Sequence, residues 1–153
     1  MTPVERVVAA LRAAEVPAEV RRFEVPVPTA AAAAEALGCA VGAIANSLVF
    51  DADGDPLLVL ASGGHRVDTG EVAALVGASR VRRASREFVA AATGQEVGGV
   101  APTGHPAPLR TVVDVDLAVH PLVWAGGGDH FTMFSVTYPD LVRLTGGVEA
   151  TVA

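Results

Sequence analysis

The chain contains no lysine: all 11 of its basic residues are arginine. That absence excludes every mechanism that needs a lysine amine, Schiff-base chemistry first among them. The 17 acidic residues outweigh the arginines and leave a net charge of −6. Non-specific binding to nucleic acid draws on neutralised phosphates, so the whole-chain charge argues against it. A nucleic-acid ligand therefore needs a local basic patch. Arg80, Arg82, Arg83 and Arg86 fall within seven residues and are the candidates, with Arg66 and Arg110 as neighbours. The competing reading of that run is an ordinary solvated face.

Cysteine is nearly absent too. The lone Cys39 cannot form an internal disulfide, which suits a reducing cytoplasm, and it offers no thiolate cluster for a metal. With nothing nearby to lower its pKa, it reads as a small buried residue rather than a nucleophile. Long apolar runs are missing as well. Runs such as Ala30–Ala34 are far too short for a membrane span, although the hydrophobic fraction is 51% and the mean hydropathy +0.44. Alanine, valine and glycine carry much of that value. The start, Met1-Thr-Pro-Val-Glu-Arg, has an early acid and no apolar core of a signal peptide. A cytoplasmic protein without a membrane partner is expected.

At 153 residues the chain is expected to form one domain, residues 1–153, with no repeat or linker. Thr2-Pro3-Val4-Glu5 has the residues of a capped helix start, and Val4, Val7, Val8 and Leu11 share one face. Val20–Val25 reads as a short strand closed by Pro26 and Pro28. Thr29 then caps a helix to Leu37, with Gly38 behind it. Ala45–Phe50 and Leu57–Ala61 are apolar strands joined by the turn residues Asp51–Pro56, hence a hairpin of central strands buried on both faces. Asp68 and Ser85 cap helices to Val76 and Ala92, with Val81 in a short strand between them. Thr111–Asp114, Leu122–Ala125 and Phe131–Val136 are further strand candidates, and Thr137 caps a last helix, Tyr138–Thr145. Hairpins interspersed with short helices predict an α+β fold, a mixed and mostly antiparallel sheet or half-barrel flanked by helices.

The unusual stretch is Thr93–Gly104, with four glycines and a proline in twelve residues. It suits neither a helix nor a strand interior. Glycine backbone can approach a ligand closely, and N–H groups along such a loop can donate to a carbonyl oxygen or a phosphate. Composition alone equally allows a plain connection between helix and strand. Of the four histidines, His65, His105, His120 and His130, the last draws attention because it follows Gly126-Gly127-Gly128-Asp129. An ordinary histidine pKa of roughly 6.5 allows base or donor behaviour near neutral pH. The plainer reading is a solvent-facing ring in a polar turn. No histidine pair has the i, i+4 spacing of a zinc helix, so neither a metal nor a cofactor is expected. Asp114 and Asp116 alternate as if on one face of a strand. Beside Pro121 they read as strand-end solvation more readily than as an acid–base couple.

The run Thr93-Gly94…Gly98-Gly99-Val100-Ala101-Pro102…Gly104 resembles the glycine–proline loop of the YbaK/prolyl-tRNA synthetase-associated editing domain family. Ile44–Phe50, Leu57–Gly63, Val123–Gly128 and Asp140–Gly146 fit the same pattern in the same order, so the resemblance spans roughly residues 28 to 150. What it implies is a translation-fidelity hydrolase that removes a wrongly attached amino acid from tRNA, in trans. The implied partner is the acceptor end of an aminoacyl-tRNA, with a synthetase as a further candidate. A synthetase pocket rejects a substrate smaller by one methylene by only about 1–3 kcal/mol, which is why a second sieve is useful.

The resemblance implies that Gly98, Gly99, Val100, Ala101 and Pro102 hold the aminoacyl carbonyl, each backbone donor being worth about 10²–10³ in rate. His130 joins them as a candidate catalytic residue. Asn46, Ser62 and Thr93 are candidate substrate contacts around the pocket, and Arg80, Arg82 and Arg83 candidate contacts for the tRNA. In many relatives the position of Asn46 is a lysine. Asparagine keeps hydrogen bonds but carries no charge. The alternative function is therefore a non-catalytic module that binds aminoacyl-tRNA or a small metabolite in the same pocket.

Overall fold

The computed structural model describes Met1–Ala153. In chain order its elements are α1 (Pro3–Ala13), β1 (Val20–Arg22), α2 (Ala30–Leu37), β2 (Ile44–Ala52), β3 (Asp55–Ser62), α3 (Thr69–Val76) and β4 (Val81–Arg83). They continue as α4 (Arg86–Thr93), β5 (Arg110–Asp114), β6 (Val123–Gly126), β7 (Thr132–Val136), α5 (Tyr138–Thr145) and β8 (Val148–Ala150). Two 3₁₀ turns, Val41–Ala43 and Val115–Val119, lead into β2 and out of β5. Each helix begins at a residue able to cap it. Thr2 forms a full capping box with Glu5, and Thr29, Asp68, Ser85 and Thr137 each accept a backbone N–H from the first turn.

The β2–β3 hairpin lies at the middle of one eight-stranded sheet, ordered β1-β7-β6-β2-β3-β5-β8, with β4 on the outer half of β2. Its turn is Asp53-Gly54, both residues at positive φ (54° and 95°), as a two-residue loop between twisted strands requires. Ladders β1–β7, β6–β7, β2–β3 and β2–β4 are antiparallel, whereas β2–β6, β3–β5 and β5–β8 are parallel. The sheet is therefore mixed and α+β in class, with antiparallel pairing ahead. The edge strand β8 was not expected. Val148-Glu149-Ala150 is too short and too mixed to show a strand period, and its pairing with β5 makes it one.

Helices cover both faces. On the first, Val7 and Leu11 of α1, Val89 of α4 and Leu141 of α5 pack with Leu58, Leu60, Val113, Val123 and Phe134. The second face carries two separate clusters. Val72 of α3 packs on Phe50, Leu57 and Val59, and Ala33 and Ala34 of α2 pack on Ile44, Trp124 and Met133. β3 is buried on both faces as expected. β2 is not: its middle, from Ser47 to Val49, is only half-buried, and on the second face α2 and α3 pack in separate clusters to either side of it. No helix is long and apolar enough to cross a membrane. Cys39 is half-buried, and partial burial pushes its thiol pKa up, away from reactive thiolate.

Candidate functional site

The segment after α4 is held from inside by its own polar side chains. Thr93 is 1% exposed; its hydroxyl donates to the Val89 carbonyl at 2.7 Å and accepts the Gln95 N–H at 3.0 Å. Thr93 is thus a strut of the loop, out of reach of a substrate. Gln95, also buried, accepts the Ala101 N–H on Oε1 at 2.7 Å and donates from Nε2 to the Thr103 carbonyl at 3.3 Å. His105 Nε2 lies 2.8 Å from the Ala101 carbonyl. Burial lowers the pKa of this ring, against the pull of that carbonyl, so the neutral form with a proton on Nε2 fits the contact. Gln95 and His105 were missed from sequence; a polar residue inside a glycine-rich run was the available signal.

From outside, the loop is locked by backbone. A Cβ on Gly99 would stand 2.7 Å from the Asp129 carbonyl carbon, and one on Gly126 would stand 2.5 Å from the Val100 oxygen. Gly98, at φ 91°, faces His130 Nε2 and the Pro28 carbonyl at 3.2 and 3.3 Å from its Cβ position. His130 Nε2 itself is 2.9 Å from the Val97 carbonyl. The ring therefore pins the loop, and its Nε2 is occupied as a donor. Gly99 N–H donates to the Glu96 carbonyl at 2.9 Å and Ala101 N–H to Gln95, whereas the N–H groups of Gly98 and Val100 have no acceptor within the protein. The side chains of Val100 and Ala101 point into the core.

Asn46 reaches the same region along the sheet. Parallel pairing sets Ile44 beside Trp124 and Ala45 beside Ala125. One step further come Asn46 and Gly126, the glycine that Val100 overlies. Asn46 shares its face with Ile44 and Leu48 and is half-buried, and its side chain makes no hydrogen bond within the protein. Asn46, Gly98–Val100 and His130 are the residues the fold brings to one place.

Ser62 is not among them. It pairs with Ala45, one residue out of step with the Asn46–Ala61 pair, so its side chain leaves the opposite face. Its hydroxyl donates to the Gly42 carbonyl at 2.8 Å. The arginines of β4 are also remote. Arg82 pairs with Asp51, five residues along β2 from Asn46, which is about 17 Å at the usual strand rise. There Arg82 meets the Asp51 carboxylate at 3.4 Å. Pro102 is buried and borders a cavity of about 400 Å³ between α1, α5 and the segment to Leu109. A second cavity, of about 340 Å³, lies by the β2–β3 turn. Neither is lined by Asn46, Gly98, Gly99 or His130.

Asp114 and Asp116 do not alternate across a strand, because the chain turns into a 3₁₀ turn after Asp114. Asp114 is 1% exposed, which overturns strand-end solvation. It accepts the N–H groups of Ser62 and Asp116 and meets His65 Nδ1 at 2.7 Å, while Asp116 meets His65 Nε2 at 3.2 Å. The three potential ligand atoms lie within 4.8 Å of one another. Both ring nitrogens are already engaged by carboxylates, which makes the group a clip between the segment after β3 and the turn after β5.

Residues 24–144 match the family model described as the aminoacyl-tRNA editing domain. Uncharacterized protein YwhH of Bacillus subtilis (strain 168) is 31% identical over 124 residues, 80% of this chain and 78% of that protein. A proline–tRNA ligase of Nitratidesulfovibrio vulgaris (strain DP4) is 33% identical over 104 residues, which are 66% of this chain but only 18% of the ligase. Among solved structures, one described as a "putative trans-editing enzyme for prolyl tRNA synthetase" superposes with a TM-score of 0.91 at 37% identity, covering 99% of this chain and 97% of that one. The hypothetical protein APE2540 superposes with a TM-score of 0.89 at 30% identity, over 96% of this chain and 98% of that one.

Proposed function

The chain belongs to the aminoacyl-tRNA editing domain family, and from that premise we propose that it hydrolyses the ester joining a wrongly attached amino acid to tRNA, acting in trans. The trans assignment draws on the structural neighbour described as a trans-editing enzyme, which this chain covers almost end to end. The observation that carries the reading is the interlocked loop with two N–H groups, of Gly98 and Val100, left without acceptors next to Asn46 and Gly126.

In this mechanism a water adds to the ester carbonyl carbon and its oxygen becomes an oxyanion. The two free N–H groups are the donors to that oxyanion, each worth about 10²–10³ in rate. The carbon–oxygen bond to ribose then breaks, the ribose oxygen takes up the proton that water gives, and the amino acid leaves. The ester is already activated, so orientation and backbone dipoles suffice. His130, tied to Val97, positions the loop, and the Asn46 amide binds a neutral part of the substrate, the ribose or the aminoacyl group.

The neutral Asn46 also favours the second reading, binding without turnover. Deacylation of tRNA charged with alanine, serine, cysteine or proline decides between them: turnover of any one above the spontaneous rate supports the hydrolase. Saturable binding with no turnover of any of the four overturns it. Asn46→Ala should cost about 1–3 kcal/mol of binding or transition-state stabilisation, the loss of one polar partner. Asn46→Lys should create deacylation in a binding module and give no gain in an enzyme adapted to asparagine. If neither substitution changes anything, Asn46 lies outside the site.

A further inference from the structure

At the edge of the sheet next to this site, two guanidinium groups stand on aromatic rings. Arg21 Cζ lies 4.9 Å from the centroid of the Trp124 ring and Arg22 Cζ 5.3 Å from that of Phe131. We propose that Arg21 and Arg22 receive the phosphates of the single-stranded 3′ end of the tRNA, an inference that rests on the tRNA substrate proposed above. Both residues precede residues 24–144, the segment that matches the family model.

Each arginine is one residue removed from the candidate site. Trp124, under Arg21, is the parallel partner of Ile44, and Asn46 is the next residue of β2 on that same face. Arg22 lies 3.6 Å from the Asp129 carboxylate, and the backbone of Asp129 is what Gly99 packs against. An RNA end entering between Asn46 and the loop therefore passes β1. That strand is the last of the sheet on this side, with β7 its only neighbour.

The chemistry fits single-stranded RNA. A guanidinium placed over a ring face keeps N–H groups free for a phosphate, and unpaired nucleotides stack on arginine and aromatic planes. Both charges are provisionally occupied: Glu19 carboxylate oxygens lie 3.1 and 3.3 Å from Arg21 Nη2, and Asp129 holds Arg22. These pairs are solvent-exposed and contribute little, so a phosphate can take the carboxylate's place. The β4 arginines carry as much charge but sit about 14–17 Å along β2 from Asn46 and have no ring beneath them.

The test compares Arg21→Ala/Arg22→Ala with wild type in three measurements. They are affinity for uncharged tRNA as a function of salt, turnover of aminoacyl-tRNA, and turnover of the same amino acid esterified to adenosine, which has no phosphate. The double variant should bind tRNA at least about tenfold more weakly, with a log K against log salt slope shallower by about 1.4, the value for two single-strand phosphates. Its loss on aminoacyl-tRNA should exceed its loss on the adenosine ester by about tenfold. Arg22→Glu, at a position 69% exposed in its side chain, repeats the test without disturbing the Trp124 stack. Arg82→Glu/Arg83→Glu should change tRNA affinity less than either. The proposal is overturned by wild-type affinity and salt slope in the Arg21/Arg22 variants, by equal losses on both substrates, or by a larger effect from the β4 pair. Arginine-dependent tRNA binding without turnover of any ester sinks the hydrolase and leaves this surface standing.

Discussion

Gly99→Ala puts one methyl group where the loop and the Asp129 turn meet. The added Cβ would stand 2.7 Å from the Asp129 carbonyl carbon, 2.9 Å from its Cα and 3.1 Å from its oxygen. All three are backbone atoms, so none can swing aside as a side-chain tip would. Restoring ordinary contact at about 3.5–4.0 Å moves the loop about 1 Å from the turn. A shift of that size at a positioned donor costs about 10²-fold, similar to deleting one oxyanion donor. The expected result is a fall in kcat/KM for deacylation of at least about tenfold and toward 10²-fold. It should be carried by kcat, because the donors act in the transition state. Overpacking should also cost about 1–3 kcal/mol of stability. Single-turnover hydrolysis of labelled aminoacyl-tRNA, with urea unfolding of the same sample, reads both. Gly64→Ala is the control, since its Cβ would meet nothing nearer than Val41 Cγ1 at 3.7 Å. A folded Gly99→Ala protein that turns over at the wild-type rate would show that the loop is only a connector.

Gln95→Ala should destabilise the fold by about 2–4 kcal/mol, because the Ala101 N–H and the Thr103 carbonyl both lose their partner in a buried segment. The urea midpoint should fall without a change in slope; a shift below about 1 kcal/mol would mean that water replaces the amide freely. For His105, burial sets the folded pKa below the ordinary value, so below about pH 6.5 the unfolded chain binds a proton that the folded chain does not. The stabilisation from keeping this ring neutral is therefore fully present above about pH 6.5 and is lost as the pH falls toward the lowered folded pKa. Replacing it by asparagine should flatten stability against pH between 7 and 5, and an unchanged profile would place the acid sensitivity elsewhere.

Local chemistry was legible in the sequence where local chemistry decides the structure. Thr2, Thr29, Asp68, Ser85 and Thr137 cap helices because their side-chain oxygens reach N–H groups two or three residues on, whatever the rest of the chain does. The Asp53-Gly54 turn is readable for the same reason. What failed depended on partners distant in sequence. Asp114 looked like a solvated strand end, but its burial and its three contacts come from Ser62, His65 and a 3₁₀ turn that β-like spacing conceals. Ser62 and Asn46 look equivalent on two central strands until the register, set by a two-residue turn, sends them to opposite faces. Thr93 reads as an available hydroxyl; only the Val89 and Gln95 contacts reveal it as internal.

The same distinction governs how charge reaches the site. A chain without lysine, with Asn46 near the start of β2, leaves the candidate site without a cation from that strand. An ester needs little more than placed dipoles, and Gly98 and Val100 offer two N–H groups that secondary structure does not consume. A polyanionic substrate still has to be held. Under the proposed function that need is met at β1, where Arg21 and Arg22 stand over Trp124 and Phe131. Charge kept at the edge steers the RNA end and stays solvated while unoccupied, which avoids the desolvation that a cation in the half-buried gap between α2 and α3 would suffer. Four clustered in sequence at residues 80 to 86 stand out more than two on an edge strand, yet the sheet order puts the two at the edge beside β7 and pairs Arg82 and Arg83 with the outer half of β2.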